Sequence, residues 1–262
     1  MSDPEPQGDQ YELRTLLRRV LSVPEAQMRR RQISRHLHTV DEDTAAEHLD
    51  ELLRRACRGD AECGELLLPL AEFVLYANAE ESARLDSVDL AARRLGRFGV
   101  AWYLLEPAPA REINALALQG MRVESRPLGV RKMAAAQRDQ RMLGRLLYDD
   151  EPMVIEKLTM NPRVLQPQIM TIVTRRPTAP TIINTVAASA KWLRDPLVRE
   201  GITLNPFGDT GLALRLLPTL RRSVWESIPH ASEPHPTLKE FAKVLLAWRR
   251  GDDDVPAPKS GR

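Results

Sequence analysis

A phrase of fourteen residues occurs twice in this chain and constrains its fold more than any other feature. Residues 151–164 read EPMVIEKLTMNPRV, and residues 195–208, 44 positions later, read DPLVREGITLNPFG. Ordinary residue usage gives about one chance identity in such a window, whereas six positions are identical here: Pro152/Pro196, Val154/Val198, Glu156/Glu200, Thr159/Thr203, Asn161/Asn205 and Pro162/Pro206. The duplication indicates a repeated structural unit.

Each copy carries the signals of one short helix. An acidic residue followed by Pro is typical of a helix start, because the carboxylate caps free N–H groups and Pro lacks the N–H that would be unpaired there. The helix must end before the second Pro, and Asn suits that end because its amide bonds nearby backbone groups. We expect Trp192 to pack between helices. The predicted determinants of the repeat are Pro152, Asn161, Pro162, Asp195, Pro196, Asn205, Pro206 and Trp192.

The segments that follow the two phrases also correspond. Residues 167–173 (PQIMTIV) fall on residues 211–217 (GLALRLL), and residues 175–192 supply a third apolar stripe between the phrases. Each period therefore holds three short helices, and a helical unit of about 40–47 residues is typical of HEAT and armadillo arrays. Such a unit buries its apolar face only by stacking on neighbours. The sequence thus predicts an all-α, HEAT/armadillo-like α-solenoid.

Composition supports a helical chain and suggests its division. Aromatic residues are only 5% of the 262 residues, while Leu, Ala and Arg, all good helix formers, recur throughout. The polar, Pro- and Gly-containing ends predict disordered tails at 1–10 and 251–262. Pro107 and Pro109 indicate a boundary between an N-terminal helical region, 11–106, and a solenoid, 107–250, whose clearest repeats are 151–194 and 195–238. Whether the N-terminal region continues the repeat stays open.

The lack of recognisable targeting signals, together with the two cysteines, predicts a cytoplasmic location. The first residues lack the basic start and apolar stretch of a signal peptide. The longest apolar run, 66–77, is interrupted by Pro69 and Glu72 and is too short to cross a bilayer. Cys57 and Cys63 are the only cysteines, and without export signals we expect ordinary buried thiols in a reducing compartment. No membrane association is expected.

The region from about 127 to 220 resembles a known class of proteins. Its Asn-Pro pairs, with IMTIVTRRPT, Trp192 and LALRLLP between and after them, are similar to those of bacterial tandem helical-repeat proteins of the leucine-rich-repeat-variant and HEAT-like kind. The resemblance implies a right-handed α-solenoid that acts as a non-catalytic protein–protein interaction or scaffold module. Some leucine-rich-repeat-variant proteins carry a cysteine-ligated iron–sulfur cluster, but two cysteines are too few ligands for one, so no cofactor is expected.

Three histidines offer the nearest approach to a catalytic or metal site. His36, His38 and His48 lie among carboxylates in HLHTVDEDTAAEH. Residues two apart on a helix point to different sides, so we expect solvated helix surface here and predict no catalytic or metal-binding residue. An enzyme acting near this stretch remains a third hypothesis.

Paired arginines suggest an alternative function. Arg175–Arg176 and Arg221–Arg222 are 46 residues apart, close to the repeat period, and could form a basic stripe on one solenoid edge that binds the phosphates of a nucleic acid. The near-balance of 38 Lys+Arg against 36 Asp+Glu favours instead a structural role at helix ends. An unidentified protein partner is therefore the first expectation and nucleic acid the alternative.

Overall fold

The structure, a computed structural model, describes residues 7–107 and 126–258, and every regular element in these ranges is a helix. This confirms the all-α class. Parts of the predicted tails (1–6 and 259–262) and of the predicted solenoid (108–125) lie outside the described residues. The helices are α1 (Gln7–Leu21), α2 (Ala26–Thr39), α3 (Glu42–Arg58), α4 (Ala61–Leu75), α5 (Ala79–Arg94), α6 (Phe98–Leu104), α7 (Leu128–Ala136), α8 (Gln140–Leu146), α9 (Pro152–Met160), α10 (Gln166–Thr174), α11 (Pro180–Ala187), α12 (Ala190–Leu193), α13 (Pro196–Leu204), α14 (Thr210–Leu216), α15 (Arg222–Ser227) and α16 (Pro236–Arg250).

The chain forms two compact units. Of the described residues, unit 1 contains 7–106, 214–230 and 237–258, and unit 2 contains 107, 126–213 and 231–236. The range predicted as one solenoid, 107–250, is therefore shared between them. Within unit 1, the buried Arg215 side chain explains part of this assignment, because its guanidinium donates to the carbonyl oxygens of Leu104 (3.2 Å) and Leu105 (3.4 Å) at the end of α6.

Unit 1 is organised around α3. This helix packs against α1, α4, α5 and α6 and buries a stripe of Ala and Leu. Asp41 caps its start by accepting from Thr44 N (2.9 Å), and Gly59, at φ 101°, ends it in the left-handed conformation that favours glycine. In the same unit Trp248 of α16 is fully buried against Gly99, where a β-carbon would lie 1.9 Å from the indole ring.

The duplicated phrases form α9 and α13 of unit 2. Both helices have Pro at the first position, a carboxylate cap before it and Asn directly after the last residue. These are the positions that the sequence predicts. The caps are Glu151, which accepts from Met153 N, and Asp195, which accepts from Leu197 N (2.9 Å).

The two copies share their packing through α11, which contacts α9, α10 and α13. Trp192 of α12, which lies in the same repeat period as α9, adds a bond to that helix: it is buried, and its Nε1–H donates to the carbonyl of Thr159 (2.9 Å) near the end of α9. It therefore packs between helices, as predicted. This arrangement is compatible with a helical repeat protein.

The asparagine directly after the helix of each phrase joins that helix to another one. Asn205 is buried, and its Nδ2 donates to the carbonyls of Val173 (2.7 Å) and Arg175 (3.0 Å) at the end of α10. Its Oδ1 accepts from Phe207 N (3.0 Å) in the turn that follows. The side chain thus uses both amide hydrogens and its oxygen. The sequence predicted only the local bond.

Asn161 repeats this geometry one copy earlier. Its Nδ2 donates to the carbonyls of Ala135 and Gln137, both at 2.8 Å, at the end of α7, and its Oδ1 accepts from Arg163 N (2.9 Å). Carbonyls in the last turn of a helix have no partner within it. Each asparagine therefore satisfies carbonyls of a neighbouring helix, and we call the two sets of bonds the asparagine ties.

We predict that Asn205→Ala lowers the free energy of unfolding by about 2–3 kcal/mol, because it removes one buried and one partly buried hydrogen bond and leaves their carbonyl acceptors without these donors. Urea denaturation measures the change. Asn184→Ala is the matched control: Asn184 is exposed on α11 of the same unit, so its removal should change stability by less than about 0.5 kcal/mol. Equal effects of the two substitutions would contradict the role of the tie.

Candidate functional site

A groove between α9 and α11 is the candidate site. Its volume is about 350 Å³, and it lies wholly within unit 2. The lining is apolar except for hydroxyl groups and one carboxylate, and consists of Pro152, Met153, Glu156, Thr159, Met160, Thr185, Ala188 and Ser189.

Two methionines form the apolar wall of the groove. The buried face of α9 carries Val154, Ile155 and Leu158, and residues seven apart lie on the same side of a helix, so Met153 and Met160 line a second, outward face. Their side chains are 44% and 64% exposed. An amphipathic helix normally presents polar residues on its solvent side. Met153 and Met160 are not part of the face that α9 buries in the core. Their exposed side chains are therefore available for binding.

Hydrogen bonds hold the polar part of the lining. Thr159 is buried, and its hydroxyl donates to the carbonyl of Glu156 (2.8 Å). The hydroxyl of Thr185 donates to the carbonyl of Thr181 (2.7 Å). Glu156, the single charged residue of the lining, is exposed. The groove can therefore accept apolar side chains beside a positive charge.

This groove was not among the features predicted from the sequence. The signal was available, because the duplicated phrase is apolar in both copies at Met153/Leu197 and Met160/Leu204. These positions lie outside the stripe that α9 buries. The period of apolar residues in one sequence does not show whether a second apolar helix face is buried in the core or exposed for binding.

The predicted arginine pairs are largely engaged within the protein. Arg175 donates to the carbonyl of Asp149 (3.3 Å) and to Thr178, and burial lowers its pKa. Arg176 forms an ion pair with Glu233, and Arg222 pairs with Glu226 at 2.8 Å.

The two pairs also differ in their place in the fold. Arg175 and Arg176 belong to unit 2, whereas Arg221 and Arg222, both exposed, belong to unit 1. The basic stripe therefore stays a prediction.

The histidines are placed differently from the prediction. We expected solvated surface, but His48 is only 3% exposed. The distance between Nδ1 of His48 and Nε2 of His36 is 3.0 Å, and the two rings are stacked. The reason is that α2 and α3 place residues twelve apart in sequence on facing sides. His38 is exposed and bonds the carbonyl of Ser34 (2.8 Å). In the described ranges no group of three or more His, Cys, Asp or Glu side chains could hold a metal ion.

Both cysteines are free, buried thiols. Burial raises the pKa of Cys57 and that of Cys63 to about 12. Thiols with such pKa values stay protonated at neutral pH, so neither is an activated nucleophile.

Comparison with protein-family models, with curated proteins and with solved structures finds no match to this chain. Across residues 7–107 and 126–258, none of the helices has the length and apolar character that a membrane span requires.

The histidine pair predicts a pH-dependent stability. Burial, followed by the charges of His48 and Arg19, lowers the pKa of His36 from 6.5 to about 4. Between these pH values the unfolded chain binds a proton that the folded chain does not bind. The free energy of unfolding therefore falls as the pH drops from 6.5 to 4, and this contribution is constant below pH 4.

Denaturation at pH 7 and at pH 5 measures this loss, which we expect to be about 1 kcal/mol after allowing for the partial exposure of the ring. His36→Gln should remove this part of the pH dependence, and His38→Gln, at an exposed position on the same helix, should leave it unchanged. A His36→Gln chain with the wild-type pH profile would contradict the assignment.

The nucleic-acid alternative predicts a steep salt dependence. If the four arginines bind phosphates, log K for duplex DNA should fall by about 0.9 per contact for each tenfold rise in salt. The Arg175→Ala, Arg176→Ala, Arg221→Ala, Arg222→Ala chain should then lose both the affinity and the slope. Equal binding by the parent and the variant, once both are shown to be folded, would eliminate this function.

Proposed function

We propose that the protein is a non-catalytic protein–protein interaction module, and that its groove between α9 and α11 binds an apolar, positively charged segment of a partner protein. The observation that carries the proposal is the pair of exposed methionines, Met153 and Met160, that line a concave surface on a well-packed helix.

The chemistry of the wall favours a protein ligand. Methionine is unbranched and polarizable, so it adapts to apolar side chains of different shapes and is frequent at binding surfaces of this kind. Exposed apolar patches on folded proteins commonly mark interaction sites. The apolar wall supplies the driving force of binding, because filling the groove removes both methionine side chains from water.

Charge narrows the class of partner segment. Among the described residues that line the groove, Glu156 is the only carboxylate and none is Lys or Arg. A bound Lys or Arg would pair with Glu156 at the rim, where such a pair adds specificity more than affinity. The ligand is therefore a segment with apolar anchors beside a basic residue.

The scaffold is part of the same proposal. The duplicated helices share packing, and the sequence resembles leucine-rich-repeat-variant and HEAT-like proteins of bacteria. On that resemblance the protein is a right-handed helical-repeat scaffold that acts in a bacterial cytoplasm. Repeated units of this kind characteristically create extended binding surfaces from stacked helices.

We predict that Met160→Lys lowers the affinity for groove-binding peptides at least tenfold. Such peptides can be selected from a random library on the wild-type chain, and we expect them to combine apolar residues with Lys or Arg. Fluorescence anisotropy measures their affinity. Met133→Lys is the matched control, because Met133 is 67% exposed on α7 and Met160 is 64% exposed on α9; it should bind as the wild type does.

Charge reversal tests the second half of the proposal. Glu156→Lys should weaken binding of the selected basic peptides and favour peptides that carry Asp or Glu instead. Peptides that bind the wild type, Met160→Lys and Glu156→Lys chains equally well would place the binding surface elsewhere and contradict the proposal.

A further inference from the structure

The segment Asp252–Pro258, which we call the strap, lies against unit 1 without forming a helix or a strand. The sequence predicted disorder for 251–262, but Val255 of this range is only 4% exposed and Pro258 is also buried. Gly251, at φ 88°, lies between the end of α16 and the start of the strap.

Three anchors hold the strap. The carboxylate of Asp253 pairs with two guanidiniums, at 2.8 Å from Nη1 of Arg54 and 2.5 Å from Nη2 of Arg58. Val255 inserts its side chain into the unit. The carbonyl of Pro256 accepts from Nε1–H of Trp102 at 2.8 Å. Asp254, the residue between the first two anchors, is exposed.

The receiving surface is held in place by bonds that do not involve the strap. Nε of Arg54 pairs with Asp50 at 2.7 Å, and its guanidinium lies over the ring of Trp248, 5.5 Å from the centroid. The Trp102 ring stacks on Phe241, with 6.4 Å between centroids. A surface whose side chains are already ordered loses little conformational entropy when a ligand binds.

Without the strap, several groups of this surface would each lose one partner. Arg54 and Arg97 would keep their pairs with Asp50 and Glu47, and Nε of Arg58 would keep the carbonyl of Trp248 (3.4 Å). Arg54 and Arg58 would each lose the carboxylate of Asp253. The indole N–H of Trp102, a residue only 5% exposed, would lose its acceptor. The strap matches each of these groups: a carboxylate for the arginines, an apolar side chain, and a proline carbonyl for the indole.

We propose that the surface formed by Arg54, Arg58 and Trp102 is a binding site for acidic, proline-containing segments of a partner protein, and that the strap occupies this site in cis. An aromatic residue that receives an extended, proline-containing chain is a recurring mode of peptide recognition. The strap is then a competing ligand, which a partner segment with the sequence pattern acidic–x–Val–Pro must displace.

Competition by the strap makes the proposal measurable in the full chain. A ligand joined by a short flexible link has an effective concentration on the order of 1 mM. If the free peptide binds with a Kd of about 0.1 mM, the strap weakens its apparent binding about tenfold. Loosening the strap should therefore strengthen the binding of an added peptide.

The probe is a fluorescein-labelled peptide of residues 251–258, GDDDVPAP, and its binding is followed by anisotropy. We expect the full-length Asp253→Ala, Val255→Ser chain to bind it at least tenfold more tightly than the wild type. Adding Arg58→Ala, at a side chain 40% exposed, should abolish that gain. A peptide with Lys in place of Asp253 should not bind.

Two further chains complete the test. The Asp253→Ala variant changes only a half-exposed side chain, so it can replace the double variant if that one does not fold. It should also bind the peptide more tightly than the wild type does. Met160→Lys should leave peptide binding unchanged, which separates this site from the proposed groove in unit 2. A folded strap variant that binds GDDDVPAP no better than the wild type, or that binds it independently of Arg58, would overturn the proposal.

Discussion

Unit 2 depends on the carboxamides of Asn161 and Asn205. Each one bonds two carbonyls at the end of a neighbouring helix and one N–H of its own turn. A buried carbonyl without a donor costs free energy, and the helices of this unit are too short to be stable alone. The asparagine ties therefore supply hydrogen-bond donors to carbonyls at the helix ends, which the backbone N–H groups of a longer helix would otherwise supply. The Asn161 tie also joins the end of α9 to the end of α7 and so helps to position α9, which forms one side of the groove.

Local chemistry explains how much of this fold could be predicted from the sequence. The starts of α9 and α13 at Pro152 and Pro196 follow from nearest neighbours, because a carboxylate followed by Pro acts on the turn that contains it. The helix ends follow in the same way from Asn-Pro. The long-range half of each tie could not be predicted, because a single sequence does not show which carbonyl 24 to 32 residues away will be in reach.

The features that sequence analysis missed are all tertiary. The His36–His48 contact joins two helices, and the strap is anchored by residues about 150 to 200 positions earlier in the chain. Its acidic, Pro-rich composition is typical of disorder. The same composition fits the arginines and the indole of unit 1, so the strap is ordered by its receptor and not by its own propensity. The division of 107–250 between two units has a similar origin, since Arg215 and Trp248 bury their side chains among residues of unit 1.

Because α11 packs against α9, α10 and α13, and Asn205 ties α13 to α10, we expect these four helices to form one cooperative block. Native-state hydrogen exchange of the Asn205→Ala chain tests it most directly. We expect amides throughout α9, α10, α11 and α13 to lose protection together and by a similar factor, because one broken tie lowers the stability of the whole block. Loss of protection confined to the residues around Val173, Arg175 and Asn205 would show that these helices are not one cooperative block.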